Sequence, residues 1–217
     1  MPSRLATQLP KAQPISRRLA QGGEVAEELI SRIRQIAEGR GALRYGKFRL
    51  SAGGTSSYYF DGRLLTLDPE GSYLVAKALL PLIVGSGATA VAGPTLGADP
   101  IVASVATVSH LEGTPISALI VRGRAKGHGT VRRIEGTVER SMKVAIVDDT
   151  CTTGRSLLDA VDALENAGCE VTVVLCILDR DEGGSSLLRG RGLPFHALLQ
   201  ASPDGGVEPF PRPSVPA

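Results

Sequence analysis

Between Lys143 and Ser156 the chain reads Lys-Val-Ala-Ile-Val-Asp-Asp-Thr-Cys-Thr-Thr-Gly-Arg-Ser, a β-prone apolar run that ends on two adjacent carboxylates and passes at once into hydroxyls and a glycine. Leu157, Leu158, Val161 and Leu164 follow at helical spacing, so the order is strand, polar loop, helix. Free backbone N–H groups and the positive end of a helix dipole, joined by the hydroxyls of Thr150, Thr152, Thr153 and Ser156, suit a phosphate monoester. Asp148 and Asp149 repel such a group and need other work: accepting hydrogen bonds from sugar hydroxyls, or standing near positive charge and a metal. An acidic cap on a strand end accounts for one carboxylate, not for a pair with four hydroxyls behind it. The residues therefore point to a ligand that is both sugar and phosphate, a phosphoribosyl group. Competing phosphate motifs are absent, with no G-x-x-x-x-G-K-[ST] loop and no G-x-G-x-x-G after the first β run.

The elements around this segment alternate. Thr89 to Ala92, Ile116 to Val121, Val144 to Val147 and Val171 to Leu178 are near-continuous apolar runs separated by helical patterns after Asp99-Pro100 and after Thr153. Such runs belong to a parallel sheet covered on both faces, so an α/β fold with a central parallel sheet flanked by helices is expected. Upstream, Val25, Ala26, Leu29, Ile30, Ile33 and Ile36 predict an amphipathic helix from Glu24 to Ala37. Phe48 to Arg63 predicts a hairpin turning at Gly53-Gly54, and Asp68-Pro69-Glu70 caps a helix that stops near Gly85. Pro194 to Leu199 predicts an edge strand. The expected organisation is a mobile arm over 1–22, one domain over 23–200, and a Pro/Gly-rich tail over 201–217.

Composition narrows the partners. The 217 residues carry 24 basic and 22 acidic side chains, a net charge of +2 that is too balanced to favour nucleic acid or an anionic membrane. No apolar run approaches the roughly 18 residues of a membrane span, and no secretory signal is visible. Cys151, Cys169 and Cys176 are too few for a disulfide framework and fit a reducing, cytoplasmic setting. Cys151 reads as a small filler of the phosphate loop. Arg122, Arg124, Lys126 and His128 lie among glycines, a loop able to close over polyanions or simply a solvated basic segment.

Asp148 to Ser156 resembles the phosphoribosyl-diphosphate (PRPP) motif of the type I phosphoribosyltransferases. Two further stretches are similar to the orotate phosphoribosyltransferase family: Gly46 to Gly53 with Ser56 to Arg63 resembles its substrate hairpin, and Val121 to Gly129 its catalytic loop. Gly93 to Pro100 resembles its pyrophosphate loop. The likeness covers roughly 24–200 and implies a type I phosphoribosyltransferase-like fold with an N-terminal helix and hairpin hood.

The activity implied by the resemblance is transfer of the phosphoribosyl group of PRPP to orotate, giving orotidine 5′-monophosphate and pyrophosphate in pyrimidine biosynthesis. Lys126, His128, Asp148 and Asp149 become the catalytic set. PRPP would be held by Arg122, Lys126, His128, Asp148, Asp149 and the loop Thr150, Cys151, Thr152, Thr153, Gly154, Arg155 and Ser156. Orotate would meet Tyr59, Phe60, Thr152 and Arg180, the last of which reads equally as a strand-end salt bridge. Mg2+ would be held mainly through PRPP, with no direct protein ligand assigned. A homodimer sharing the loop 122–137 across its interface is also implied. Ser51, Gly97 and Gly123 stand where many members carry lysine, and Arg155 where glycine is frequent. The rival readings are a PRPP-binding regulator or weakened paralogue, and a transferase for another base.

Overall fold

The computed structural model describes residues 22–49, 54–123 and 133–211. Ser51, Gly53, Arg124, Lys126, His128 and most of the expected arm therefore lie outside the described residues.

Helix α1 (Gly22–Gly39) turns Ile33, Ile36 and Ala37 inward, as the helical spacing of its apolar residues requires. Strands β1 (Leu43–Arg49) and β2 (Thr55–Phe60) pair antiparallel as a hairpin, whose first strand starts at Leu43 and not at Phe48 as expected, with a register shift between Tyr45 and Phe48. Leu43, Tyr58 and Phe60 of this hairpin are buried with α1, which fastens it to the body of the protein. The extended segment expected to continue to Arg63 stops at Phe60, because Asp61 accepts a hydrogen bond from the Arg63 N–H and starts a short helix, α2 (Gly62–Thr66). Helix α3 (Pro69–Gly85) begins as expected: Asp68 accepts from the N–H groups of Glu70 and Gly71, with Pro69 in the first turn.

The main sheet has seven strands in the order β5-β4-β3-β6-β7-β8-β9. Its interior strands β3 (Ala90–Pro94), β4 (Ser117–Val121), β6 (Lys143–Cys151), β7 (Glu170–Asp179) and β8 (Phe195–Ala201) are parallel. The edge strands β5 (Ile134–Glu135) and β9 (Val207–Pro209) run antiparallel to their neighbours. β8 was expected at the edge and is covered instead by β9, so the sheet continues to Pro209, beyond the expected domain end at 200. Two apolar layers fill the faces. One joins α1, α3 and α4 (Asp99–Leu111) to the sheet, and the other joins α5 (Arg155–Asn166) and α6 (Gly184–Gly190). This double cover explains the uninterrupted apolar runs of the central strands.

The connections place the chemistry. From β3 the chain crosses to β4 on one side, and β6, on β3's other side, leads onward to β7 and β8. The carboxyl ends of β3 and β6 therefore flank the point where the winding reverses, where open α/β sheets leave a ligand crevice.

Candidate active site

A crevice of about 370 Å³ opens at that reversal, lined by Tyr59, Phe60, Asp61, Arg63, Pro94, Thr95, Leu96, Gly97, Asp148, Asp149 and Ser156. Five elements converge on it: the end of β2, the start of α2, the end of β3 with the loop to α4, the end of β6, and the first turn of α5. Of the residues singled out in the sequence, Tyr59, Phe60, Asp148, Asp149 and Ser156 meet here.

Asp148 is 7% exposed and accepts from the Asp149 N–H at 2.9 Å and from the Ser156 hydroxyl at 3.4 Å. Burial, reinforced by the neighbouring Asp149 charge, pushes its pKa up to about 8. Asp149 accepts from the Thr150 hydroxyl at 3.1 Å, and burial raises its pKa as well. The carboxylates are crowded by backbone on two sides. A Cβ at Gly97 would lie 2.8 Å from Asp149 Oδ1 and 3.1 Å from Asp148 Oδ1, and one at Gly62 would lie 2.8 Å from Asp149 Oδ2. The departure from lysine at Gly97 thus has a local reason: in this packing any side chain there starts inside the space of the acidic pair.

Beyond the pair the loop turns through Gly154, at φ 73°, into α5, whose first turn has no side-chain cap. Ser156 of that first turn lines the crevice, and a helix start without a side-chain cap is the kind of arrangement that receives an anionic oxygen cluster. Thr153, Arg155 and Ser156 are exposed, and Thr150 and Thr152 are partly so. The Cys151 side chain is fully buried and does not line the crevice. Burial, with Asp179 and Asp148 nearby, pushes its thiol up to about 12, consistent with a filler and not a nucleophile.

Of the expected contributors, Thr150, Thr152, Thr153, Gly154 and Arg155 are not among the lining residues, and Arg180 and Arg122 also sit away from it. Arg180 places its guanidinium 5.4 Å from the Tyr58 ring centre and its Nε 3.0 Å from Glu182, so the strand-end ion pair is formed. Its backbone N–H also donates to the Cys151 carbonyl at 2.9 Å, tying β7's end to the end of β6. Arg122, at the end of β4, meets Glu135 at 3.2 Å, and its N–H donates to the Arg133 carbonyl at 2.7 Å. The basic segment between them thus leaves and rejoins the fold at one place. Asp61 and Arg63 were part of the recognised hairpin motif, yet no role attached to them, because their entry into the crevice depends on the turn into α2.

Among the described residues, no group of three or more His, Cys, Asp or Glu is arranged to hold a metal ion, and no helix is long and apolar enough to cross a membrane. The paired carboxylates are hard oxygen donors without a third protein ligand beside them. Such a site fits an ion whose coordination is completed by substrate oxygens and water.

The sequence matches the phosphoribosyl transferase domain over residues 85–187. It is 43% identical to the orotate phosphoribosyltransferase of Aquifex aeolicus (strain VF5) over 155 residues, which is 71% of this chain and 85% of that one. With the enzyme of the same name from Nostoc sp. it shares 46% identity over 159 residues, 73% of this chain and 77% of that one. Among solved structures, the Mycobacterium tuberculosis orotate phosphoribosyltransferase in complex with Fe(III) dicitrate superposes with a TM-score of 0.66 at 35% identity, covering 81% of this chain and 95% of that one. The same enzyme with PRPP gives 0.62 at 29% identity, over 84% and 92%. Identity of this extent, on a sheet whose reversal point carries the acidic pair and the uncapped helix, shows that the chain belongs to the orotate phosphoribosyltransferase family.

Proposed function

We propose that this protein transfers the 5-phosphoribosyl group from PRPP to orotate, forming orotidine 5′-monophosphate and pyrophosphate, a step of pyrimidine nucleotide synthesis. The observation that carries the reading is the continuous path from Asp148 and Asp149 to the uncapped first turn of α5, which matches a ribose followed by its 5′-phosphate.

Asp148 and Asp149 take the ribose hydroxyls, and Thr150 to Ser156 hold the 5′-phosphate. As the bond from C1 to the diphosphate loosens, positive charge grows on the sugar beside the carboxylates, which favour it over the ground state. Orotate lies along Tyr59 and Phe60, with Thr152 and Arg180 completing its contacts. Arg122, Lys126 and His128 bind the departing pyrophosphate, the last two from the neighbouring subunit of a homodimer. Mg2+, when bound with PRPP, neutralises diphosphate charge, and the chain's part is to present the acidic pair near it without caging it. A cytoplasmic location follows the supply of these soluble substrates.

Purified protein given PRPP, Mg2+ and orotate should consume orotate, followed by its ultraviolet absorbance, and should leave uracil and hypoxanthine unchanged. PRPP binding without turnover would instead mark a regulator, and turnover of hypoxanthine a different base specificity. Lys126→Ala should lower kcat roughly ten- to thirtyfold while the KM for PRPP moves less than about twofold, as expected of a cation needed when pyrophosphate leaves. Equal losses in both would assign it to ground-state binding.

Gly123 offers a second check. A Cβ there meets nothing within 4 Å and its φ is not in the left-handed region, so a side chain is tolerated. Gly123→Lys should leave the melting temperature unchanged and lower the KM for PRPP about threefold, the scale of one exposed charge pair. An unchanged KM would show that no cation is wanting at this place.

A further inference from the structure

We infer that Arg63 is a diphosphate-binding residue, contributed from the hairpin side of the crevice. The inference rests on the reading of the crevice as a PRPP pocket. Among the described lining residues Arg63 is the one cation, and it shares the lining with three carboxyl groups, those of Asp61, Asp148 and Asp149. A diphosphate brought among these gains from a positive partner inside the crevice, in addition to the Mg2+ it carries and the cations of the basic loop.

The order of groups along the crevice sets the assignment. The 5′-phosphate occupies the end marked by Ser156 and α5, and the ribose lies over the acidic pair. The diphosphate must then leave C1 on the far side of Asp149, toward α2 and the loop Pro94 to Gly97. Arg63 stands there, close enough that its charge acts on Asp149.

In the free protein the guanidinium is held in reserve. Its Nε and Nη2 each donate to Asp61, both at 2.9 Å, a two-pronged pair in which Arg63 is 49% exposed and Asp61 17%. The same planar fork matches two phosphate oxygens as well as it matches a carboxylate, so exchange of partner preserves the hydrogen-bond count. Asp61 separately caps α2 through the Arg63 N–H, a bond that survives loss of the side chain. Removing the guanidinium therefore takes a charge from the crevice without removing the helix start.

Isothermal binding of PRPP with Mg2+, and of ribose 5-phosphate, to the full-length protein and to Arg63→Ala, Arg63→Gln and Arg63→Lys tests this. Expected is a loss of about tenfold or more in PRPP affinity for the alanine and glutamine variants, with ribose 5-phosphate affinity within twofold of wild type and partial recovery in the lysine variant. The orotate KM should stay level. Equal weakening of both ligands would overturn the assignment in favour of a positioning effect through α2. Unchanged PRPP affinity would overturn it outright, and a rise in the orotate KM alone would give the arginine to the base. If the wild type itself fails to bind PRPP, the pocket reading falls, and Arg63's role with it. That result is distinct from a wild type that binds and a variant that binds equally well.

Discussion

Asp149→Asn should reduce kcat/KM for PRPP by on the order of a hundred- to a thousandfold, with a melting temperature unchanged or slightly higher. The two halves of this expectation come from one fact, that the Asp148–Asp149 pair is poorly solvated in the free protein. Both carboxyl groups are raised by burial, and Asp148, pushed up to about 8, has the Asp149 charge as its second cause. Such groups weaken folding wherever they must ionise. The native state holds a proton that the unfolded chain releases near the ordinary carboxylate value of 3.8, so stability falls as pH rises from there toward about 8. Asparagine removes one of the like charges and relaxes that strain while giving up the negative charge that the sugar calls for in the transition state. With Asp149 neutral, the Asp148 pKa should move down, and the pH dependence of PRPP affinity should move to lower pH with it. Steady-state kinetics across pH and a thermal melt together check the claim. A variant whose melting temperature falls sharply while turnover is retained would make the pair a structural device.

The family was legible in the sequence because the proposed carriers of its chemistry are contiguous: Asp148 to Ser156 spans a strand end, a loop and a helix start, and each feature is local. The same holds for the capped start of α3 at Asp68-Pro69. What was not legible depended on distant backbone. Gly97 read as a departure from a frequent lysine and Gly62 as part of an extended segment, yet both are pressed against Asp149 by elements far apart in the chain. β9 was hidden because Val207–Pro209 is short, sits among proline and glycine, and becomes a strand only by pairing with Leu199 to Ala201. Helix α2 was read as continuing strand because its propensity is overridden by one side-chain bond from Asp61. The Arg63 side chain reaches the crevice only because of that turn. Residues whose function depends on a short irregular connection are the ones that local pattern reading passes over.

Gly184→Ala should be the most damaging single-methyl substitution near the phosphate loop, although residue 184 lies well outside the recognised motif. A Cβ at Gly184 would lie 2.6 Å from Cys151 Sγ, 2.6 Å from the Gly154 nitrogen and 2.6 Å from the Thr152 carbonyl oxygen. None of these can step aside cheaply, since two are backbone and the third is a fully buried thiol. The Gly184 N–H also donates to the Thr152 carbonyl at 2.9 Å, so the first residue of α6 is bonded to the loop it would have to push away. Gly154 closes the contact from the other side: it takes φ 73°, and a Cβ on it would meet Gly184 Cα at 3.1 Å. Two glycines thus let a short helix buttress the phosphate loop from behind at a separation no other pair permits. Overpacking of this kind costs about 1–3 kcal/mol, a fall in melting temperature of roughly 2–10 °C. The larger effect should be on PRPP, because a loop displaced by about 1 Å loses on the order of a hundredfold in productive binding. Gly190→Ala is the matched control: it lies at the other end of the same helix, with nothing within 4 Å of its Cβ and no left-handed φ, and should behave as wild type. If Gly184→Ala binds PRPP normally while Gly190→Ala does the same, the buttress has no functional weight. If only the alanine at 184 loses PRPP, and does so at temperatures well below its melting point, the shape of the phosphate loop is set by α6 as much as by its own residues.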